Sequence, residues 1–138
     1  MFFKKKNLAP EVANQISRRI LTIEDDPTQR MMIQKTLEKK GYTVLMADSG
    51  EKGLEVAFLQ KPDLIILDVV MPGIHGEEVC KRLKSDARTK NIPILFLTSM
   101  DEPKDIIDHY DLGAEVHLTK PINPKELINQ IEITFGLR

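Results

Sequence analysis

The sequence predicts a doubly wound α/β domain, a parallel sheet with helices on both faces. Three observations carry that prediction. From Arg19 onward, short apolar runs alternate with amphipathic stretches of helical period. The run Leu64-Ile-Ile-Leu67 contains no polar residue, as expected of a central parallel strand covered on both sides. Helix-capping residues, Asp26, Ser49 and Asn123, stand just ahead of three of the amphipathic stretches. A length of 138 residues, 41% hydrophobic and 30% charged, suits one globular domain.

The elements follow in order. Ile20–Glu24 is the first strand. Asp26 then caps a helix that has Pro27 at its first position and Gln29 three residues after the cap, the spacing of a capping box. Met32, Ile33, Thr36 and Leu37 share one face of this helix, and Gly41 is placed to end it. Thr43–Ala47 is the second strand. Ser49 caps the next helix, which turns Leu54, Ala57 and Phe58 inward and stops at Pro62. Asp63–Asp68 is the third strand. Glu77–Lys84 follows as a helix burying Val79 and Leu83, with Glu77/Lys81 and Glu78/Arg82 paired at i,i+4 on its wet side. Ile92–Thr98 is a buried strand, a less regular helix spans Pro103–Leu112, and Val116–Thr119 is the last strand. Asn123, Pro124 and Glu126 open the final helix, whose apolar face is Leu127, Ile128 and Ile131. Five strands alternating with five helices imply right-handed crossovers. Residues 1–18 precede the pattern as an N-terminal extension, a frayed tail with a short helical tendency through Val12 and Ile16.

Bulk chemistry excludes several function classes. Lys plus Arg total 20 against 21 Asp plus Glu, a net charge of −1, so the broad positive field of a nucleic-acid binder is absent. The single cysteine, Cys80, rules out an internal disulfide and a cysteine metal cage and fits a reducing cytosol; its place in a helical pattern reads as a small half-buried hydrophobe. No apolar run approaches membrane-spanning length. The positive start Met1–Lys6 is followed by no apolar core, so a soluble intracellular protein is expected.

Ligands of an open α/β sheet bind beyond the carboxyl ends of its strands. Those ends carry Glu24-Asp25-Asp26, Asp68, Thr98-Ser99 and Lys120-Pro121. Acids gathered at one edge repel one another and raise their pKa values unless a cation holds them. Carboxylate oxygens suit Mg²⁺. The charges of Glu24, Asp25 and Asp68 are balanced by Mg²⁺ together with Lys120. A helix N-terminus accounts for Asp26 without any metal, but packing gives no reason for Asp68 to end so apolar a run. A carboxylate is also a nucleophile toward phosphorus. Lys120 supplies positive charge and Thr98 a hydroxyl donor for the phosphoryl oxygens, with Asp68 the only carboxylate expected to reach both the metal and Lys120.

With those residues in place, the chain over 19–135 resembles the receiver domain of two-component response regulators. The resemblance rests on Ile20-Leu-Thr-Ile-Glu-Asp-Asp-Pro27, Leu67-Asp-Val-Val-Met-Pro-Gly73 with Gly76, Leu97-Thr98-Ser99 and Lys120-Pro121, in this order and spacing. It implies a five-stranded sheet in the flavodoxin-like order 2-1-3-4-5, with 19–138 as the domain. It implies Mg²⁺ bound by Glu24, Asp25, Asp68 and the backbone carbonyl of Val70, with Asp68 as the phosphoacceptor. Thr98 turns toward the phosphoryl group, Lys120 pairs with its oxygens, and the Lys120–Pro121 bond is cis. The phosphoryl donor is a sensor histidine kinase or a histidine phosphotransfer protein, and the target is a protein that the sequence does not name. Direct binding to nucleic acid or membrane is not expected, and a phosphorylation-dependent dimer is compatible. Such a domain is a signalling module, catalysing only its own phosphorylation and slow dephosphorylation.

Three positions depart from the common pattern. Glu24 stands where Asp is also common, and Ser99 adds a hydroxyl where a small residue is usual. His117 stands where the family often places a Tyr or Phe that rotates inward on activation. The positions that hold the hydrolytic water in many receivers are Val70 and Met100, which exclude water and predict a long-lived phosphoryl group. Little chain follows Phe135, so the expectation is a stand-alone receiver acting through a protein partner, the alternative being a fragment of a longer protein. A haloacid-dehalogenase-type phosphatase needs a second acid at Val70. A flavin mononucleotide module needs phosphate donors where Glu24-Asp25-Asp26 stand. A degenerate docking receiver would have lost some of the five key residues, and all are present.

Overall fold

The computed structural model describes residues 18–99 and 103–137. They form a five-stranded, fully parallel sheet in the order β2-β1-β3-β4-β5. The strands are β1 (Arg19–Ile23), β2 (Thr43–Ala47), β3 (Leu64–Leu67), β4 (Ile94–Thr98) and β5 (Val116–Thr119). The helices are α1 (Pro27–Lys39), α2 (Gly50–Gln60), α3 (Gly76–Ser85), α4 (Pro103–Asp111) and α5 (Pro124–Thr134). Pairing registers such as Ile20↔Leu64 and Leu67↔Phe96 align the carboxyl ends of β1, β3 and β4 along one edge. No helix among the described residues is long and apolar enough to cross a membrane.

The unbroken apolar runs are explained by two cores, one on each face. Successive residues of a strand point to opposite faces, so Ile65 and Leu67 join Leu54, Ala57, Val79 and Leu83 of α2 and α3, while Leu64 and Ile66 join Ile33, Leu37, Leu127 and Ile131 of α1 and α5. Phe96 of β4 lies in the first core and Leu95 and Leu97 in the second. Each such Leu or Ile contributes about 1.5–3 kcal/mol by leaving water. Cys80 is fully buried between these layers, not half-buried as expected, because it lies beside Val79 on the inward stripe of α3.

Local signals hold with small shifts. Asp26, Ser49 and Asn123 each cap their helices through side-chain oxygens, and Gly41, at φ 91°, follows the end of α1 in the left-handed region. β1 begins one residue early and stops before Glu24, β3 excludes Asp63 and Asp68, and β4 begins at Ile94. α4 ends at Asp111 rather than Leu112, and α3 begins at Gly76. The capping box does not form on α1. The Asp26 N–H donates instead to Glu24 Oε2 at 3.1 Å, and Gln29 keeps its side-chain oxygen buried with no hydrogen-bond partner among the described residues. Of the two pairs expected on α3, Glu78–Arg82 forms at 3.0 Å, but Glu77 turns to His109 instead of Lys81. Residues 1–17, and with them the helical tendency through Val12 and Ile16, lie outside the described residues.

Candidate functional site

The acids meet at the carboxyl edge of β1 and β3. Glu24, Asp25 and Asp68 each place a carboxylate oxygen within 4.8 Å of the other two. Glu24 is 2% exposed and Asp68 6%, so both charges are largely removed from water. Their backbones are tied to the sheet, Glu24 N–H donating to the Ala47 carbonyl and Asp68 N–H to the Ile23 carbonyl. Lys120, just past β5, reaches across the edge and places Nζ 2.9 Å from Glu24 Oε1 and 3.3 Å from Asp68 Oδ2. Asp68 is therefore not the only carboxylate within reach of Lys120. Glu24 is nearer, because its extra methylene spans the gap between strands.

Burial, more than repulsion between the acids, sets the electrostatics. It pushes the Glu24 carboxyl up to about 7, against the opposing pull of Lys120 and the Asp26 N–H, with the Asp68 charge adding a smaller upward push. Burial works against the Lys120 charge, but hydrogen bonding to Glu24 and the nearby Asp68 carboxylate outweigh it and hold the ammonium above its ordinary value. The three acids offer only hard oxygens, without thiolate or imidazole, so the donor set fits a hard divalent cation such as Mg²⁺.

Thr98 is fully buried at the end of β4, and the register Leu67↔Phe96 brings it one residue beyond the position opposite Asp68. Its carbonyl accepts from the Lys120 N–H at 2.8 Å, tying the ends of β4 and β5 together. The Lys120–Pro121 bond is cis. Val70 is exposed on the loop after Asp68, while Met100 lies outside the described residues. His117 lies on β5, upstream of Lys120. Its register partner on β4 is Phe96, and its ring contacts His109.

Sequence reasoning named Gly76 only as part of a motif and did not weigh Gly50, Glu51 or Ile74, which with it brace the loop after Asp68. A Cβ on Gly76 would collide with the Asp68 carbonyl oxygen, and its N–H donates to the Val69 carbonyl at 2.8 Å. A Cβ on Gly50 would lie 2.7 Å from the Ile74 carbonyl oxygen, and Glu51 Oε1 accepts from the Ile74 N–H at 2.9 Å. Glycines at helix starts were the available signal; the close backbone approach behind them appears only in three dimensions.

The comparisons with known proteins agree with this geometry. The family model described as the response regulator receiver domain matches residues 20–132. Protein PilH of Pseudomonas aeruginosa is 37% identical over 118 residues, covering 86% of this chain and 98% of PilH. The DNA-binding dual master transcriptional regulator RpaA of Synechocystis is 42% identical over 82% of this chain, which spans about half (47%) of that longer protein. Among solved structures, chemotaxis protein CheY4 of Vibrio cholerae superposes with a TM-score of 0.80 at 33% identity, covering 84% of this chain and 97% of CheY4. With its 2-1-3-4-5 sheet and an acidic cluster at the end of β1 and β3, the chain belongs to the receiver domains of two-component response regulators, the signalling domains of phosphorelays.

Proposed function

We propose that Asp68 of this receiver is the phosphoacceptor, in a Mg²⁺-dependent transfer from a sensor histidine kinase or a histidine phosphotransfer protein. One constellation supports this reading: a nearly buried carboxylate at the end of β3, 3.3 Å from an ammonium and within 4.8 Å of two further acids. An oxygen of Asp68 forms a bond to phosphorus as the P–N bond of the donor phosphohistidine breaks, and the imidazole leaves with the bonding pair. Lys120 stands where negative charge grows on the transferring oxygens, and its contact with Glu24 holds it in place beforehand. Thr98 donates its hydroxyl to the product. Glu24, Asp25, Asp68 and the Val70 carbonyl would hold the Mg²⁺, which would supply further positive charge to the phosphoryl group.

The receiver unit is 19–138, acting in the cytoplasm. Phosphorylation shifts Thr98 and His117, altering the α4–β5–α5 face presented to a protein target or to a second phosphorylated copy. Val70 and Met100 position no water, so hydrolysis of the acyl phosphate is slow. Intact mass after acetyl phosphate and Mg²⁺ tests the assignment. Wild type gains one phosphoryl group and Asp68→Asn gains none; labelling of that variant, or of wild type without Mg²⁺, would refute it.

A further inference from the structure

Glu24 and Asp25 follow one another in the chain, yet each brings a carboxylate oxygen within 4.8 Å of the other and of Asp68. In an extended strand successive side chains point to opposite faces, so consecutive acids could not converge in this way. β1 ends at Ile23 and α1 begins at Pro27, and the chain turns between them. Arg30, one turn into α1, reaches back to that turn. Its Nη1 donates to the Glu24 carbonyl at 2.9 Å and to the Asp25 carbonyl at 3.3 Å. Its own N–H donates to the Asp26 carbonyl at 2.9 Å, so the side chain starts from a fixed point of the helix.

A single nitrogen that meets two consecutive carbonyls turns both to the same side. Those carbonyls belong to the two peptide planes that flank Asp25. Each peptide unit is rigid and planar, so fixing both planes fixes the two dihedrals of Asp25 and the direction in which its side chain leaves the backbone. Glu24 is held by other means. Its N–H donates to the Ala47 carbonyl, its Oε2 accepts from the Asp26 N–H, and its Oε1 faces Lys120. The Asp25 carboxylate has no hydrogen-bonding partner among the described residues, so its place in the cluster is set through its backbone.

We propose that Arg30 is a positioning residue for the metal site, setting Asp25 beside Glu24 and Asp68 by clamping the peptide planes on either side of it. That role rests on the reading of these three acids as the Mg²⁺ site. The charge of Arg30 acts in the opposite direction, since a guanidinium near a cation site repels the ion. Loss of the charge alone would tighten Mg²⁺ binding, and loss of the clamp would weaken it. The two ions also differ. Mg²⁺ demands near-octahedral geometry at short distances, whereas Ca²⁺ accepts irregular oxygen ligands, so a misplaced Asp25 penalises Mg²⁺ more.

The test titrates magnesium chloride, and separately calcium chloride, into the metal-free full chain with no phosphodonor present, following the backbone amides of Asp25 and Asp68 by NMR. In Arg30→Met, Mg²⁺ is expected to bind about 10-fold more weakly, the usual cost of removing a group that orients a metal ligand. Ca²⁺ binding is expected to change less. Arg30→Lys keeps the charge on a stem an atom shorter, and its Mg²⁺ affinity is expected to fall between those of wild type and Arg30→Met. Mg²⁺ binding in Arg30→Met as tight as in wild type, or tighter, overturns the proposal. An equal loss of both ions also overturns it, because a general loosening of the domain would give that result. If Arg30→Met does not fold, Arg30→Lys decides the matter: weaker Mg²⁺ binding supports the clamp and unchanged binding overturns it. A wild type that binds no Mg²⁺ overturns the metal reading together with the clamp, whereas unaltered variants beside a wild type that binds overturn the clamp alone.

Discussion

The carboxyl edge of β1 and β3 and the space between α3, α4 and β5 both bury polar groups, but they solve the problem differently. At the first, two acids nearly out of water share one ammonium, and the spare negative charge is left open to a cation. At the second, one buried imidazole joins three elements, His109 lying 2.9 Å from Glu77 of α3 and 2.8 Å from His117 of β5. On the function proposed, the first site takes up a doubly charged ion and a phosphoryl group, which its clustered acids and single ammonium suit. The contrast separates a site built of clustered acids from one that ties three elements together through an imidazole.

That separation is open to measurement. The largest effect is expected from Lys120→Met, which removes the ammonium while keeping much of its stem. Phosphorylation by acetyl phosphate should slow by about 10²-fold or more, the cost of losing one preorganised charge-stabilising donor. A rate within a few-fold of wild type would remove Lys120 from the chemistry. Next in size is the metal. At 100 times its dissociation constant, Mg²⁺ should stabilise the fold by about 2.7 kcal/mol, read as a rise in thermal midpoint. Asp25→Asn should diminish that rise and His109→Phe should leave it unchanged, because the two regions share no side chain. Loss of the metal effect in His109→Phe would mean that the regions are coupled even before phosphorylation.

The smallest effect concerns Cys80, buried in the core shared by α2 and α3. Burial raises its thiol from 9.0 to about 11. A raised folded-state pKa means that the stability is fully present below 9.0 and is lost as pH climbs from 9.0 through about 11, since the unfolded thiol ionises first. Stability should therefore fall by about 1 kcal/mol between pH 9 and pH 10 in denaturant titrations, and Cys80→Ala should abolish that component of the slope. An identical slope in the variant would assign the loss to other groups.

The acidic region was legible in the sequence because each of its members ends a strand, and parallel topology carries strand ends to one edge whatever the details. Glu24, Asp25, Asp68, Thr98 and Lys120 needed only the alternation of apolar runs to be brought near each other. The contact between Lys120 and Glu24 was not legible, since it depends on how far two long side chains reach across the sheet. The histidine chain was hidden for a related reason. His109 lies inside a helix, 32 residues from Glu77 and 8 from His117, and no local pattern distinguishes it from an ordinary polar position. Glu77 was assigned to Lys81 because i,i+4 spacing is visible in sequence and a buried imidazole is not. An exposed ion pair is worth little, so the tertiary partner prevails. The capping box at Asp26 failed likewise, when the nearby Glu24 carboxylate claimed the backbone N–H that Gln29 was expected to take.

The bracing behind Asp68 has a mechanical consequence. On that side, backbone meets backbone at Gly76 and at Gly50, and Glu51 fastens Ile74 from α2, so this wall has no slack to take up added volume. A vice with one fixed jaw transmits every displacement to the other. Across from it, the ends of β4 and β5 are clasped to each other through the Thr98 carbonyl, and Lys120 reaches the acids through its side chain alone. If phosphorylation proceeds as proposed, the contacts of Gly76, Gly50 and Glu51 would direct the resulting displacement toward β4 and β5.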